Sequence, residues 1–291
     1  MPAPLAELTP EARASLTRRE NRPGLRHLAG HLGAITATGS VIALQPPLWW
    51  LLVPVQGALI VFLFTLQHEC THRTPFASDR LCDLIGHAIG ALILNPFSWF
   101  RPFHFAHHRH TNQPGDPELD GPPITTRAEW LWHVSGLPYW RAQIALLMRL
   151  AAGRETPSWL PARARAAART EARLLLTLYA LAAASLVVSP LALWLWLLPL
   201  LLGQPALRLY LLAEHGDCPR VADMLENTRT TFTSRAIRFL AWNMPYHAEH
   251  HLAPQVPFHR LPVLHALIRA RLKTTAPGYA AFTRAYLARR P

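Results

Sequence analysis

Sixteen of the 291 residues are histidine, and they are not spread evenly. His68 and His72 lie four apart in QHECTH; His104, His107 and His108 form HFAHH; His247, His250 and His251 form HAEHH. On a helix, positions i, i+3 and i+4 share a face, so each box offers two or three imidazoles in one direction. These eight imidazoles exceed the four ligands of a usual zinc site and suit two metal ions. Imidazole suits iron, copper, nickel or zinc alike. Taken alone, QHECTH is an H-E-x-x-H box, in which two histidines hold zinc and Glu69 acts as general base of a peptidase. An intramembrane zinc protease would find a third ligand in a triplet such as Leu119-Asp120-Gly121. That triplet lies in a polar, proline-rich stretch, and the reading leaves six clustered histidines unused. The extended metzincin pattern also fails, because Pro75 and Ser78 stand where glycine and histidine are needed. A metal transporter would place its ligands along a path inside the bilayer.

The boxes must be held by elements, and the hydropathy says which. The chain is 51% hydrophobic, with a formal net charge of +12. Residues 32–67 and 174–207 contain no charged side chain, and each stretch suits two spans of about 20 residues. Gln45-Pro46-Pro47 breaks the first and Ser189-Pro190 the second. The expected fold is an all-α integral membrane protein. Its four transmembrane helices, near 31–45, 48–67, 174–189 and 191–213, form two hairpins under a cytosolic helical cap. The cap, residues 68–173 and 214–291, carries the boxes, and the whole is one domain. Arginines crowd the flanks: Arg13 to Arg26 before the first hairpin, Arg101 to Arg173 between the two, Arg220 to Arg238 after the second. The positive-inside rule then places both termini and all boxes on the cytosolic side of a multi-pass protein. This topology accounts for the basic excess and disfavours nucleic acid as a partner. Residues 84–100, uncharged and broken at Asn95-Pro96, are read as an interfacial or re-entrant segment. The N-terminal segment MPAPLAELTPEARASLTRRENRPG lacks the order of a signal peptide and reads as a cytosolic arm. ARARAAAR, residues 162–169, is read as a solvated helix, and LPVLHALIRARL, residues 261–272, as an amphipathic helix on the membrane. Cys70, Cys82 and Cys218 form no CxxC pair and are read as free thiols.

The three boxes together resemble the membrane fatty acid desaturase and hydroxylase superfamily, recognised by HxxxH, HxxHH and HxxHH around an all-histidine di-iron centre. HHRHTNQPGDPE and WNMPYHAEHHLAPQVPFHRLP both look like bacterial members, and the resemblance runs from His68 to Pro262. It implies that His68, His72, His104, His107, His108, His247, His250 and His251 ligate two non-haem iron ions. His215, in LLAEHGD, is the candidate for a further ligand at the end of the last span. Some relatives carry an asparagine four residues before it, where this chain has Leu211. The implied reaction consumes O2 and electrons on a long-chain lipid or acyl substrate in the cytoplasmic (inner) membrane. It inserts a C=C bond in a desaturase and a hydroxyl in a hydroxylase or ketolase of a fatty acyl, carotenoid or other lipid. No HPGG-type haem motif occurs, so a separate ferredoxin- or rubredoxin-type donor is expected, and the basic face would suit an acidic one.

Ligating histidines usually give their other N–H to an acceptor. Glu69, Asp116, Glu118, Glu214 and Glu249 are the carboxylates placed to serve, with Asn112 and Asn243 as orienting or turn residues. His110 is expected beside the middle box and His87 beside Asp83. His27, His31, His133, His259 and His265 are expected at the surface or membrane interface. Trp49, Trp50, Trp99, Trp194, Trp196 and Trp242 are expected to line a substrate channel or girdle the membrane.

Overall fold

A computed structural model describes residues 7–291; the first six residues of the expected N-terminal arm lie outside the described residues. The chain is mostly helical. A short helix α1 (Pro10–Thr17) leads into α2 (Asn21–Leu44), which stops where Gln45 turns left-handed ahead of Pro46-Pro47. A tight turn at Trp49–Leu51 starts the return through α3 (Leu52–Val61) and α4 (Leu63–His72). Next come α5 (Asp79–Ile93), α6 (Phe97–His110), α7 (Arg127–Val134), α8 (Leu137–Ala152) and α9 (Ala162–Ser185). A π-helical turn at Leu193–Leu197 opens α10 (Leu198–His215). The C-terminal part holds α11 (Met224–Asn227), β1 (Thr230–Thr231), α12 (Arg235–Leu240), α13 (His247–Leu252), α14 (Leu261–Ile268), β2 (Thr275–Ala276) and α15 (Tyr279–Ala288).

Among the described residues, three helical runs are long and apolar enough to cross a membrane: Pro10–Leu44, Trp49–His72 and Leu193–His215. The pair α5–α6 qualifies jointly but is bent by 104°. Asn95-Pro96 sits at that bend, where the sequence suggested a re-entrant segment. The third expected span, 174–189, does not appear as a helix of spanning length. The helix there, α9, begins at Ala162 among arginines and ends at Ser185, leaving only residues 174–185 uncharged. That is about 18 Å of helix against a core of about 30 Å.

Two of the spanning runs cross at their backbones. A Cβ at Gly57 would overlap the Pro199 carbonyl oxygen, and one at Gly203 would overlap the Gly57 carbonyl. Small residues allow this close approach, as in other membrane helix pairs. From the crossing, His68 lies eleven residues on and His215 twelve, both about 17 Å along their helices. The crossing therefore sets both histidine ends at one height.

The C-terminal cap closes over those ends. β1 and β2 pair in parallel through Thr230 and Thr275, and Thr230 also bridges Tyr246 at the start of α13. Trp242, Met244, Phe258 and Leu261 are fully buried beneath the third box. One face of α14 (Leu261, Leu264 and Ile268) joins this core, while Val263 and Leu267 stay exposed. LPVLHALIRARL is thus a packed part of the cap. In the ARARAAAR stretch, Arg163, Arg165 and Arg169 are exposed, while Ala168 is buried.

Several lone histidines differ from expectation. His31 is fully buried: its Nε2 lies 2.8 Å from the Leu59 carbonyl and its Nδ1 accepts from Trp242 Nε1 at 3.2 Å. It ties the first span to the cap. His27 stacks on Phe239 with ring centroids 4.4 Å apart. His87 pairs with Glu171 at 2.8 Å rather than with Asp83, whose carboxylate is taken by Arg73 and Arg101. His265 binds Glu249 instead of facing the membrane. The three cysteines are buried and unbridged.

Candidate metal centre

Four elements deliver nine histidines to one place. α4 brings His68 and His72; α6 brings His104, His107 and His108; the last residue of α10 is His215; α13 brings His247, His250 and His251. They do not gather box by box. His68, His72, His104, His108 and His250 form one group whose ring nitrogens lie within 4.8 Å of one another, and His107, His215 and His251 form a second. His247 joins the second group, with its Nε2 3.2 Å from that of His215 and 3.1 Å from that of His251. The split follows from helix geometry. In each HxxHH box the first and last histidines are i, i+4 and point to one group; the middle one, turned about 100° from the last, points to the other. The two boxes do this in opposite senses: α6 gives two imidazoles to the first group and one to the second, and α13 does the reverse.

The chemistry of these atoms fits metal ions. His72 and His104 face each other through Nε2 atoms 2.9 Å apart, as do His108 and His250 at 3.2 Å. Both nitrogens of buried His68 lack any hydrogen-bond partner, as do Nδ1 of His247 and of His250. Buried polar atoms are rarely left so, and convergent imidazole lone pairs are what a cation collects. Burial, and after it the neighbouring imidazoles, push His247, His250 and His251 well below their ordinary value, so that these rings stay neutral and able to ligate.

Behind the rings lie acceptors. Asp116 faces His107 Nδ1 at 3.0 Å, with Glu118 3.7 Å from the same nitrogen. Burial works against ionisation of Asp116, yet the His107 N–H and the amides of Glu118 and Asn112 hold its carboxyl below the ordinary value. Glu214 lies 3.4 Å from His247 Nδ1, and Glu69 3.6 Å from His250 Nδ1. Glu69 is itself pinned: its Oε2 accepts from Thr74 Oγ1 at 2.8 Å and from the Phe258 amide at 3.0 Å. It is fully buried and does not line the cavity beside the histidines. This is no place for the general base of a peptidase.

Four expected neighbours, Glu249, Asn243, Asn112 and His110, are placed away from the ligand rings. Glu249 turns away from its own box because it is two residues, about 200°, from His247; it binds Thr230 and His265 instead. Asn243 is a left-handed turn residue whose amide donates to the Phe258 carbonyl at 3.1 Å. Asn112 likewise braces a turn, donating to the Cys218 and Pro219 carbonyls. His110 packs against Gly115. Three partners were not foreseen. Thr111 lies 3.2 Å from His251 Nδ1, the Asn227 carbonyl 3.3 Å from His215 Nδ1, and Thr74 anchors Glu69. Asn227 also donates to the Thr111 carbonyl, linking two of them. Only the polar run ENTRTT hinted at such a role.

Both groups open onto one cavity of about 560 Å³. Its aromatic wall is Phe64, Trp99, Phe100 and Phe103, and Leu211 and Leu212 face it. Of the six tryptophans proposed for a channel, Trp99 alone lines it. Trp242 is core, Trp49 and Trp194 meet edge to face, and Trp196 donates to the Leu92 carbonyl.

A family model described as fatty acid desaturase matches residues 45–283. The chain belongs to the fatty acid desaturase family. Similar curated desaturases include the sn-1 oleoyl-lipid 12-desaturase of Picosynechococcus sp., 28% identical over 131 residues (41% of this chain, 37% of that protein). The protein of the same name from Synechocystis sp. is 37% identical over 87 residues (28% and 24%). The sn-1 acyl-lipid omega-3 desaturase (ferredoxin) of Nostoc sp. is 37% identical over 65 residues (22% and 17%). The chain thus matches well under half the length of each of these relatives.

Proposed function

We propose that this protein is a membrane-bound, O2-dependent di-iron oxidoreductase that inserts a C=C bond into a fatty acyl or acyl-lipid chain. The observation that carries this reading is the sorting of nine imidazoles into a group of five and a group of four beside one aromatic cavity. His68, His72, His104, His108 and His250 would hold one iron, and His107, His215, His247 and His251 the other. When bound, the two irons supply the oxidising power for an inert methylene that no side-chain acid or base can attack. Overall, R–CH2–CH2–R′ + O2 + 2 e⁻ + 2 H⁺ gives R–CH=CH–R′ + 2 H2O.

The protein's share is placement. Asp116 fixes the orientation and tautomer of His107 from behind, while Glu214 and Glu69 stand beside His247 and His250 without a hydrogen bond to either ring. The aromatic wall of Phe64, Trp99, Phe100 and Phe103 would take the chain and keep water away. Arginine-rich flanks support a cytosolic position for the histidines and both termini in the inner membrane. Electrons would come from a ferredoxin- or rubredoxin-type partner; the Nostoc relative carries ferredoxin in its name.

The test is expression in a host of defined lipid composition, followed by mass spectrometry of its acyl chains. Loss of two hydrogens per chain is the expected change. Gain of one oxygen would replace this reading with a hydroxylase or ketolase on the same centre.

A further inference from the structure

Among the described residues that line the cavity, Arg208 is the one arginine or lysine. Arg208 lines it from α10, and its guanidinium carbon sits 4.3 Å over the Tyr139 ring. Its Nε is buried without a hydrogen-bond partner, and no carboxylate comes within 4.0 Å of the group among the described residues. The two nearby carboxylates that also line the cavity are turned elsewhere: Glu118 to His107 and Glu214 to His247. A guanidinium whose Nε is buried without a hydrogen-bond partner is costly to keep, and charged groups in a membrane helix mark function. Tyr139 covers the guanidinium from one side, and the group, with its fork of N–H donors, lines the cavity. That fork matches two oxygens in a plane.

Resting on the proposed acyl substrate, we infer that Arg208 binds its carboxyl oxygens. An acyl chain has one group of that kind, whether free acid or ester. A carboxylate engages two donors of the fork and an ester carbonyl one. Arg208 precedes His215 by seven residues, about 10 Å along the helix. The carboxyl end is therefore held at a set distance from the histidine groups, and the carbon presented to them is counted from that end.

The probes are hexadecanoate, methyl hexadecanoate and hexadecan-1-ol, with affinities measured on the metal-loaded protein in detergent. Wild type is expected to bind the acid at least about tenfold more tightly than the alcohol, the scale of a hydrogen bond to a charged group. Arg208→Met removes that margin and leaves alcohol binding unchanged. Arg208→Lys, which keeps the charge but not the fork, loses part of it and covers the case in which methionine impairs folding. If the methyl ester depends on Arg208 and the acid does not, an esterified chain is the source of the oxygens. If neither depends on it while both variants unfold like wild type, the inference is overturned. Binding needs no turnover, so a protein that shows the margin yet oxidises no chain refutes the proposed function and keeps the carboxyl site.

Discussion

At the scale of single residues, the boxes were legible and their division was not. Spacing alone put two or three imidazoles on a face. It could not say that His107 parts from His104 and His108, or that His250 parts from His247 and His251, because that depends on how α6 and α13 approach each other. Glu69 shows the same limit: H-E-x-x-H names a base, while the fold buries it against Thr74 and Phe258, 3.6 Å from His250 Nδ1. Three outcomes follow. His107→Ala should abolish product and lower bound iron, read by metal analysis of the purified variant. Asp116→Asn should weaken iron binding by about 10–100-fold, the usual effect of removing a partner behind a ligating histidine. The buried rings also set a pH dependence. His247, His250 and His251 have folded-state values well below the ordinary 6.5. The stability they lend the iron-free protein is thus complete above about 6.5 and falls as pH drops below it, when the unfolded chain takes up protons that the folded one refuses. Thermal unfolding of iron-free protein should shift to lower temperature between pH 7.5 and 5.5, and an unchanged midpoint would argue against buried neutral imidazoles.

At the scale of elements, charge-free runs located three apolar helices long enough to span, and Asn95-Pro96 located the bend between α5 and α6. The third span misled because hydropathy ignores where a helix ends: α9 spends its first half on arginines and stops at Ser185. The crossing of α3 and α10 was invisible in the sequence, since a glycine reveals its neighbour only once the helices have docked. That crossing levels His68 with His215. Gly57→Leu should therefore lower stability and product together, by driving a side chain into the Pro199 carbonyl. Gly33→Ala is the control, because nothing lies within 4 Å of a Cβ there; its thermal unfolding and product yield should match wild type.

At the scale of the whole molecule, apolar runs and a histidine cap form one device. The runs hold the helix ends at one level, the cap brings the third box down on them, and the cavity lies between. The family match over residues 45–283 agrees with the boxes. The depth of the cavity and its lone arginine could not be read from the order of residues, because Arg208, Tyr139 and Glu118 meet only through folding. The central claim is that nine histidines hold two irons, and the most direct test is the metal content of protein purified from iron-replete cells. The account predicts about two iron atoms per chain, falling when His107 or His250 is replaced by alanine. About one zinc and no iron per chain would contradict it.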